Sequence, residues 1–146
     1  MDTLSANERS ALMAKVRNRN TEPEIRVRRA AHSIGLRFRL HRRDLPGSPD
    51  LVFPKHRVTI FVHGCFWHQH PGCKRASVPK SRTDFWIAKL EQNRARDKAA
   101  IAALKILGWR PIVIWECQTR RETELRRLLM KIFGLRSASC EATRPV

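Results

Sequence analysis

The chain has 146 residues, and 30 lysines and arginines against 13 aspartates and glutamates leave a net charge of +17. At that length one compact fold buries roughly 68–70% of the surface its unfolded chain exposes, so a single core needs no disulfide stapling. No run approaches the ~18–20 apolar residues of a membrane span, and no charged segment followed by a long apolar one marks a secretory signal, so the expected address is the cytoplasm.

Such a charge repels itself in isolation, and its usual meaning is a polyanionic partner whose released counterions drive binding; nucleic acid is the first expectation. The excess is uneven. Residues 1–43 carry eleven basic and four acidic side chains, whereas 44–79 carry four and two. Composition is otherwise continuous, which predicts one domain over residues 1–136, with a basic N-terminal arm or helix in 1–20 and a flexible tail over 137–146.

Ser5 with Glu8 opens a first helical stretch, and Thr21 with Glu24 has the S/T-x-x-E form of a capping box for a second. There Val27, Ala30, Ala31 and Ile34 form an apolar stripe that Gly35 ends, with Arg26, Arg28 and Arg29 on the other face. Leu36, Phe38 and Leu40 alternate with Arg37, Arg39 and His41, the period of a half-buried strand. The turn Pro46-Gly47-Ser48-Pro49 leads through Asp50 into Leu51-Val52-Phe53. A second turn at Pro54-Lys55-His56 precedes a strand over Arg57 to Val62, completing a three-stranded meander. Residues 63–80 form a long irregular stretch crowded with His, Cys and aromatics. From Thr83 to Leu107 the pattern is helical, with Trp86, Leu90, Ile101, Leu104 and Leu107 as core candidates by period. Arg110 to Glu116 reads as a buried strand and Glu122 to Phe133 as a last amphipathic helix. The order is ααβββαβα, an α/β fold in which helices flank a small mixed sheet.

Cys65, His70 and Cys73 share one loop at C-x4-H-x2-C spacing, and Cys117 ends the last strand. Three thiolates and one imidazole suit closed, structural zinc. A disulfide is disfavoured in the cytoplasm, unconnected buried cysteines are the plainer alternative, and His68 fits the loop as a substitute ligand for His70. Cys140 in the tail reads as a spare thiol. Asp50, after a proline and at a strand start, is either turn chemistry or a carboxylate for a hard divalent ion. The histidines His63, His68 and His70 crowd eight residues beside it, and a histidine poised near neutral pH is the natural group for activating water. Phe66 and Trp67 are either loop packing or wedges that unstack a base step.

The run Phe61-Val62-His63-Gly64-Cys65-Phe66-Trp67-His68, with Leu45-Pro46-Gly47-Ser48-Pro49-Asp50 before it and Ser81-Arg82-Thr83-Asp84-Phe85-Trp86 after it, resembles the very short patch repair (Vsr-type) DNA mismatch endonucleases. So do Asn93-Arg94-Ala95-Arg96-Asp97 and Val113-Ile114-Trp115-Glu116-Cys117, and the likeness runs from about Ser10 to Cys117. It implies a restriction-endonuclease-like core of the PD-(D/E)xK superfamily, with Mg2+-dependent nicking of one strand of double-stranded DNA beside the thymine of a T:G mismatch, the product of 5-methylcytosine deamination. By the same resemblance Asp50 is the metal-binding aspartate, joined by the backbone carbonyl of Val62, where the best-known pattern has threonine. His68 is the general base, His63 a second catalytic histidine, and Asp97 an acidic partner that orients a histidine. Glu24 matches a glutamate near the active site. Cys65, His70, Cys73 and Cys117 carry over as zinc ligands although Pro71-Gly72 adds one residue before Cys73. Phe66, Trp67 and Trp86 match intercalating aromatics, which reverses the periodic reading of Trp86. The superfamily's acidic-x-Lys half is absent after Ile60, so a histidine must take that lysine's part. Mismatch-repair proteins are candidate partners, the address becomes the bacterial cytoplasm, and the length favours a monomer. Two rivals stand beside this expectation: a zinc-stabilised DNA-binding module without catalysis, and a restriction-type nuclease that cuts both strands of a paired site.

Overall fold

The computed structural model describes residues 21–135; the helix expected from Ser5, the tail and Cys140 lie outside them. Helix α1 spans Glu22–Ser33, and the Thr21 hydroxyl accepts from the Glu24 amide at 3.4 Å, with Pro23 in the first turn. Proline is pre-set for that position because its missing N–H would find no partner inside the helix. Gly35, at φ 81°, ends the helix, and the Leu36 amide donates back to the Ala31 carbonyl at 3.0 Å.

Three antiparallel strands follow: β1 (Arg39–Leu40), β2 (Leu51–Phe53) and β3 (Val58–His63), with Leu40 opposite Leu51 and Leu51 opposite Ile60. The meander expected from the turns is present, but its first strand is two residues long and Leu40 is exposed. The chain leaves the ladder at His41, whose φ of 46° breaks the alternation that the residue pattern suggested. Strand β4 (Arg110–Trp115) pairs parallel with β3 and sets Val62 opposite Ile114 and His63 opposite Trp115. A parallel neighbour needs a long crossover, and α2 (Thr83–Ile106) supplies it. The sheet order is β1-β2-β3-β4. Glu116 leaves the expected strand and opens a short 3-10 turn, Glu116–Thr119, before α3 (Glu122–Ile132). Being at the sheet edge, β4 buries only Ile114 fully.

Alternation along the strands sends side chains to two layers. Leu51, Phe53, Val58, Ile60 and Ile114 join Val27, Ala30 and Ala31 of α1 and Leu125 and Leu129 of α3 in the larger core. Val52 and Phe61 meet Leu45, Leu104 of α2 and Trp109 in a smaller one. Of the periodic candidates on α2, Leu90 and Leu104 are buried, whereas Leu107 is 53% exposed and Trp86 belongs to neither core. A β-carbon on Gly47 would stand 2.6 Å from the Ala100 β-carbon and 3.1 Å from the Phe61 ring. That turn is therefore pressed onto α2, which fixes where Asp50 emerges. No helix among the described residues is long and apolar enough to cross a membrane.

Candidate active site and metal centre

A cleft of about 1280 Å³ opens where α1, the start of β2, the end of β3 and the middle of α2 meet, and Glu24, Asp50, Val62, His63, His68 and Asp97 all line it. Asp50 sits one residue before β2, and its Oδ2 accepts from the Val62 amide at 2.7 Å. A strand residue's amide and carbonyl face the same edge, so the Val62 carbonyl faces the Asp50 side. Burial pushes the Asp50 carboxyl up to about 7, against the Val62 amide, which pulls it down; the neighbouring Glu24 carboxyl adds to the rise. Two adjacent carboxyls out of water hold a proton or a cation between them.

Glu24, from the first turn of α1, is 2% exposed. Its Oε2 accepts from Arg28 at 3.1 Å and lies 3.0 Å from His41 Nε2. The capping threonine expected of the motif is in place, but the glutamate's side chain turns into the cleft. Arg28, placed by the sequence on the face opposite the apolar stripe, keeps its side chain only 18% exposed beside it. His41 is the cleft residue that the alternating pattern concealed. The one signal toward it is the irregular backbone that follows a two-residue strand.

On the other wall, His68 Nδ1 is 2.6 Å from Asp97 Oδ2. A carboxylate only accepts, so Nδ1 is the nitrogen that carries the proton here, and in the neutral tautomer the lone pair is therefore on Nε2. His63 stacks on His68 with centroids 3.8 Å apart and planes 7° from parallel, and its Nε2 is 3.9 Å from Asp97 Oδ1. Burial, then the adjoining His68, pushes the His63 imidazole down to about 4, against the pull of Asp97. His63 is neutral at pH 7, so it offers an N–H and not an imidazolium proton.

The 65–70 segment coils tightly, with His68 bonded to Gly64 at 3.1 Å and His70 to Cys65 at 2.9 Å through their backbones. Asn93 of α2 holds it by donating to the Trp67 carbonyl at 3.0 Å. This coil brings His70, not His68, to the sulfurs: His70 Nδ1 is 3.8 Å from Cys65 Sγ and 3.5 Å from Cys117 Sγ, and Cys73 completes the group within 4.8 Å. Tetrahedral zinc with bonds of about 2.0–2.3 Å sets its ligand atoms roughly this far apart. All three cysteines are free of disulfides. Burial pushes the Cys65 thiol up to about 12, while the Arg75 backbone N–H draws Cys73 below the ordinary thiol range. A coordinated cation is what ionises a thiol buried like Cys65. Cys117 reaches the loop because parallel pairing aligns the ends of β3 and β4.

Trp115, unassigned by sequence, joins the two groups. Its ring stacks on His70 at 4.3 Å and meets His63 edge-on at 5.4 Å. The coil also turns Phe66 and Trp67 to the same side, where Phe66 touches Trp67 at 5.2 Å and Trp86 at 5.5 Å, and the two tryptophans stand 5.9 Å apart. The three rings make one half-exposed cluster at the cleft mouth, not part of either core.

A family model described as DNA mismatch endonuclease Vsr matches residues 1–75. The type II nicking enzyme V.XorIIP of Xanthomonas oryzae pv. oryzae is 54% identical over 132 residues, 88% of this chain and 96% of that protein. The type II nicking enzyme V.NmeAIP of Neisseria meningitidis is 35% identical over 90% of this chain and 93% of that protein. The DNA mismatch endonuclease Vsr of Escherichia coli is 42% identical over 80% of this chain and 74% of its own length. With these matches spanning the cleft and the cysteine loop alike, the chain belongs to the Vsr family of DNA mismatch endonucleases.

Proposed function

We propose that this endonuclease nicks one strand of duplex DNA beside the thymine of a T:G mismatch and so starts very short patch repair. The observation that carries the reading is the pairing, across one cleft, of an oriented base (His68 on Asp97) with a buried two-carboxylate site (Asp50 and Glu24). The two halves suit a hydrolase that needs a proton acceptor and a cation together. We take the scaffold to be a restriction-endonuclease-like core, and the protein to act as a monomer in the bacterial cytoplasm, with mismatch-repair proteins as possible helpers.

Asp50 and the Val62 carbonyl would hold Mg2+, with Glu24 beside them. When bound, that ion supplies polarisation of the scissile phosphate and a lowered pKa for its water. The residues fit it: Asp50 and Glu24 set two buried carboxyls side by side, and a divalent cation would compensate the charge that Asp50 takes on when it loses its proton. His68 Nε2 takes the proton of the attacking water, Asp97 holds Nδ1–H so that the lone pair faces outward, and the resulting imidazolium is stabilised by the same carboxylate. Neutral His63, stacked beneath, donates its N–H toward a phosphate oxygen. Attack forms one P–O bond and breaks the other on a single strand. Phe66, Trp67 and Trp86 enter at the mismatch, where unstacking costs least, and this contributes to selection of the T:G pair. Cys65, His70, Cys73 and Cys117 would hold Zn2+, which would fix the coil that carries His68.

A strand-resolved cleavage assay on T:G and fully paired duplexes with Mg2+ tests the reading. One nick confined to the mismatched duplex is expected. Cleavage of both strands of the paired duplex would establish the restriction-type alternative, and tight binding without cleavage the non-catalytic one. Metal analysis should find one zinc per chain in the native protein and less in Cys117→Ser.

A further inference from the structure

His41 stands among the cleft's metal-binding groups without a role in the mechanism above. One ligand atom each from Glu24, His41 and Asp50 lies within 4.8 Å of both others. Octahedral ions with bonds near 2.1 Å place neighbouring donors about 3 Å apart and opposite ones about 4.2 Å apart. The 3.0 Å between His41 Nε2 and Glu24 Oε2 matches the first spacing. The ring is also fixed relative to the aspartate, because the His41 amide donates to the Asp50 carbonyl at 3.2 Å and its φ of 46° turns the chain there. Asp50 Oδ2 accepts one bond from the Val62 amide, and a carboxylate with about four lone-pair sites keeps acceptor capacity for the trio. Three separate segments thus converge on one point: the first turn of α1, the end of β1 and the start of β2.

The chemistry of the trio is not that of a magnesium site alone. Mg2+ takes oxygen donors and keeps its water, whereas imidazole suits first-row transition ions. Arg28 sharpens the point. Its Nη2 is 3.1 Å from Glu24 Oε2 and 3.5 Å from His41 Nε2, and Nε2 cannot both donate to the carboxylate and accept from the guanidinium. An ion between the carboxylates and the imidazole gives that nitrogen a single role, as a lone-pair donor, while Glu24 Oε2, with more than one lone pair, still accepts from Arg28.

We propose that His41 is a nitrogen ligand of the cation held by Asp50 and Glu24, and that it makes this site prefer a borderline transition ion such as Co2+ over Mg2+. The inference rests on the catalytic-metal reading of Asp50 given above, and binding measurements separate the two. With zinc-loaded protein, titration calorimetry should show Co2+ bound well above Mg2+ in affinity. His41→Gln, whose amide still reaches Glu24, should weaken Co2+ at least about tenfold while moving Mg2+ by less than about threefold. Pulsed electron paramagnetic resonance of bound Mn2+ should show a nitrogen coupling that changes on 15N-histidine labelling of the wild-type protein, survives Asp97→Asn and disappears in His41→Gln. An unaltered coupling in His41→Gln, no nitrogen coupling in the labelled wild type, or equal loss of Co2+ and Mg2+ would overturn the role of His41. Co2+ and Mg2+ binding unchanged in Asp50→Asn would instead overturn the metal reading beneath it.

Discussion

One face of the sheet is closed by α1 and α3 over Leu51, Phe53, Val58, Ile60 and Ile114, whereas the other lies under α2 and is sealed by the smaller group of Val52, Phe61, Leu45, Leu104 and Trp109, with Ala100 and Val113 packed against it. Strand β3 serves both: Val58 and Ile60 point to the closed side, Thr59, Phe61 and His63 to the other. Toward its end the smaller core runs out, and the same alternation that buried Phe61 brings His63 to the wall of the cleft. The comparison teaches that stability and chemistry are divided by side-chain parity along one strand. A change on one face should therefore cost folding and a change on the other should cost rate.

The largest departure is expected at Asp50. In Asp50→Asn the amide keeps the shape but loses the charge that attracts a cation, and single-turnover nicking should fall on the order of a thousandfold or more, about 4 kcal/mol in barrier. Melting should show the variant at least as stable as the wild type without added metal, because a carboxyl held at about 7 is a strained ion above that pH. Retained nicking would remove Asp50 from the chemistry. The opposite face gives the converse. Leu129, fully buried in the larger core, should cost about 3 kcal/mol of stability on truncation to alanine. The rate of the folded fraction should stay unchanged; a parallel loss of rate would mean that the two faces are not separable.

How much of this division was legible beforehand depended on whether a residue's role was local. The β2 and β3 strands, their turns and the capping threonine follow from nearest-neighbour chemistry, and they appear where the residues placed them. The cluster of Cys65, His70, Cys73 and Cys117 was legible as a candidate metal site because its donors are chemically rare; even so, only the coil of 65–70 set His70, and not His68, beside the sulfurs. Trp86 failed by period because its ring packs on Phe66 and Trp67 outside both cores, and Leu107 because it is the residue just past the end of α2, 53% exposed beside the buried Leu104 and Trp109. His41 and Arg28 were hidden: their partner is Glu24, brought to them by the packing of α1 beside the end of β1, and no spacing within either segment records it. Trp115 likewise acquires its place between His70 and His63 only through the parallel pairing of β3 with β4.

A smaller effect on rate should follow from His68→Gln, which keeps a hydrogen bond to Asp97 but removes the proton acceptor. General-base loss of this kind costs on the order of a hundredfold. The wild-type rate should climb with pH as the proton leaves Asp50 near 7 and the cation takes its place, and that limb should persist in the variant. If His68→Gln turned over at the wild-type rate, water activation would have to lie elsewhere in the cleft.

The finest test of the comparison is the pH dependence of stability without added divalent ion, because Asp50 and His63 oppose each other. Asp50 in the folded chain keeps, up to about 7, a proton that the unfolded chain releases near 3.8. Between those values the folded state binds more protons, so stability from this group falls as pH rises. His63 behaves in reverse. Its folded value near 4 lies under the unfolded 6.5, so in that interval the unfolded chain binds the extra proton and stability rises with pH. From about pH 5 to 6 each group contributes most of one proton of opposite sign, and their sum should be nearly flat. Removing one partner exposes the other: urea midpoints of Asp50→Asn should rise across that window, and those of His63→Gln should fall. Two variants with the same slope would show that the burial of these groups on opposite walls of the cleft is not what sets their protonation.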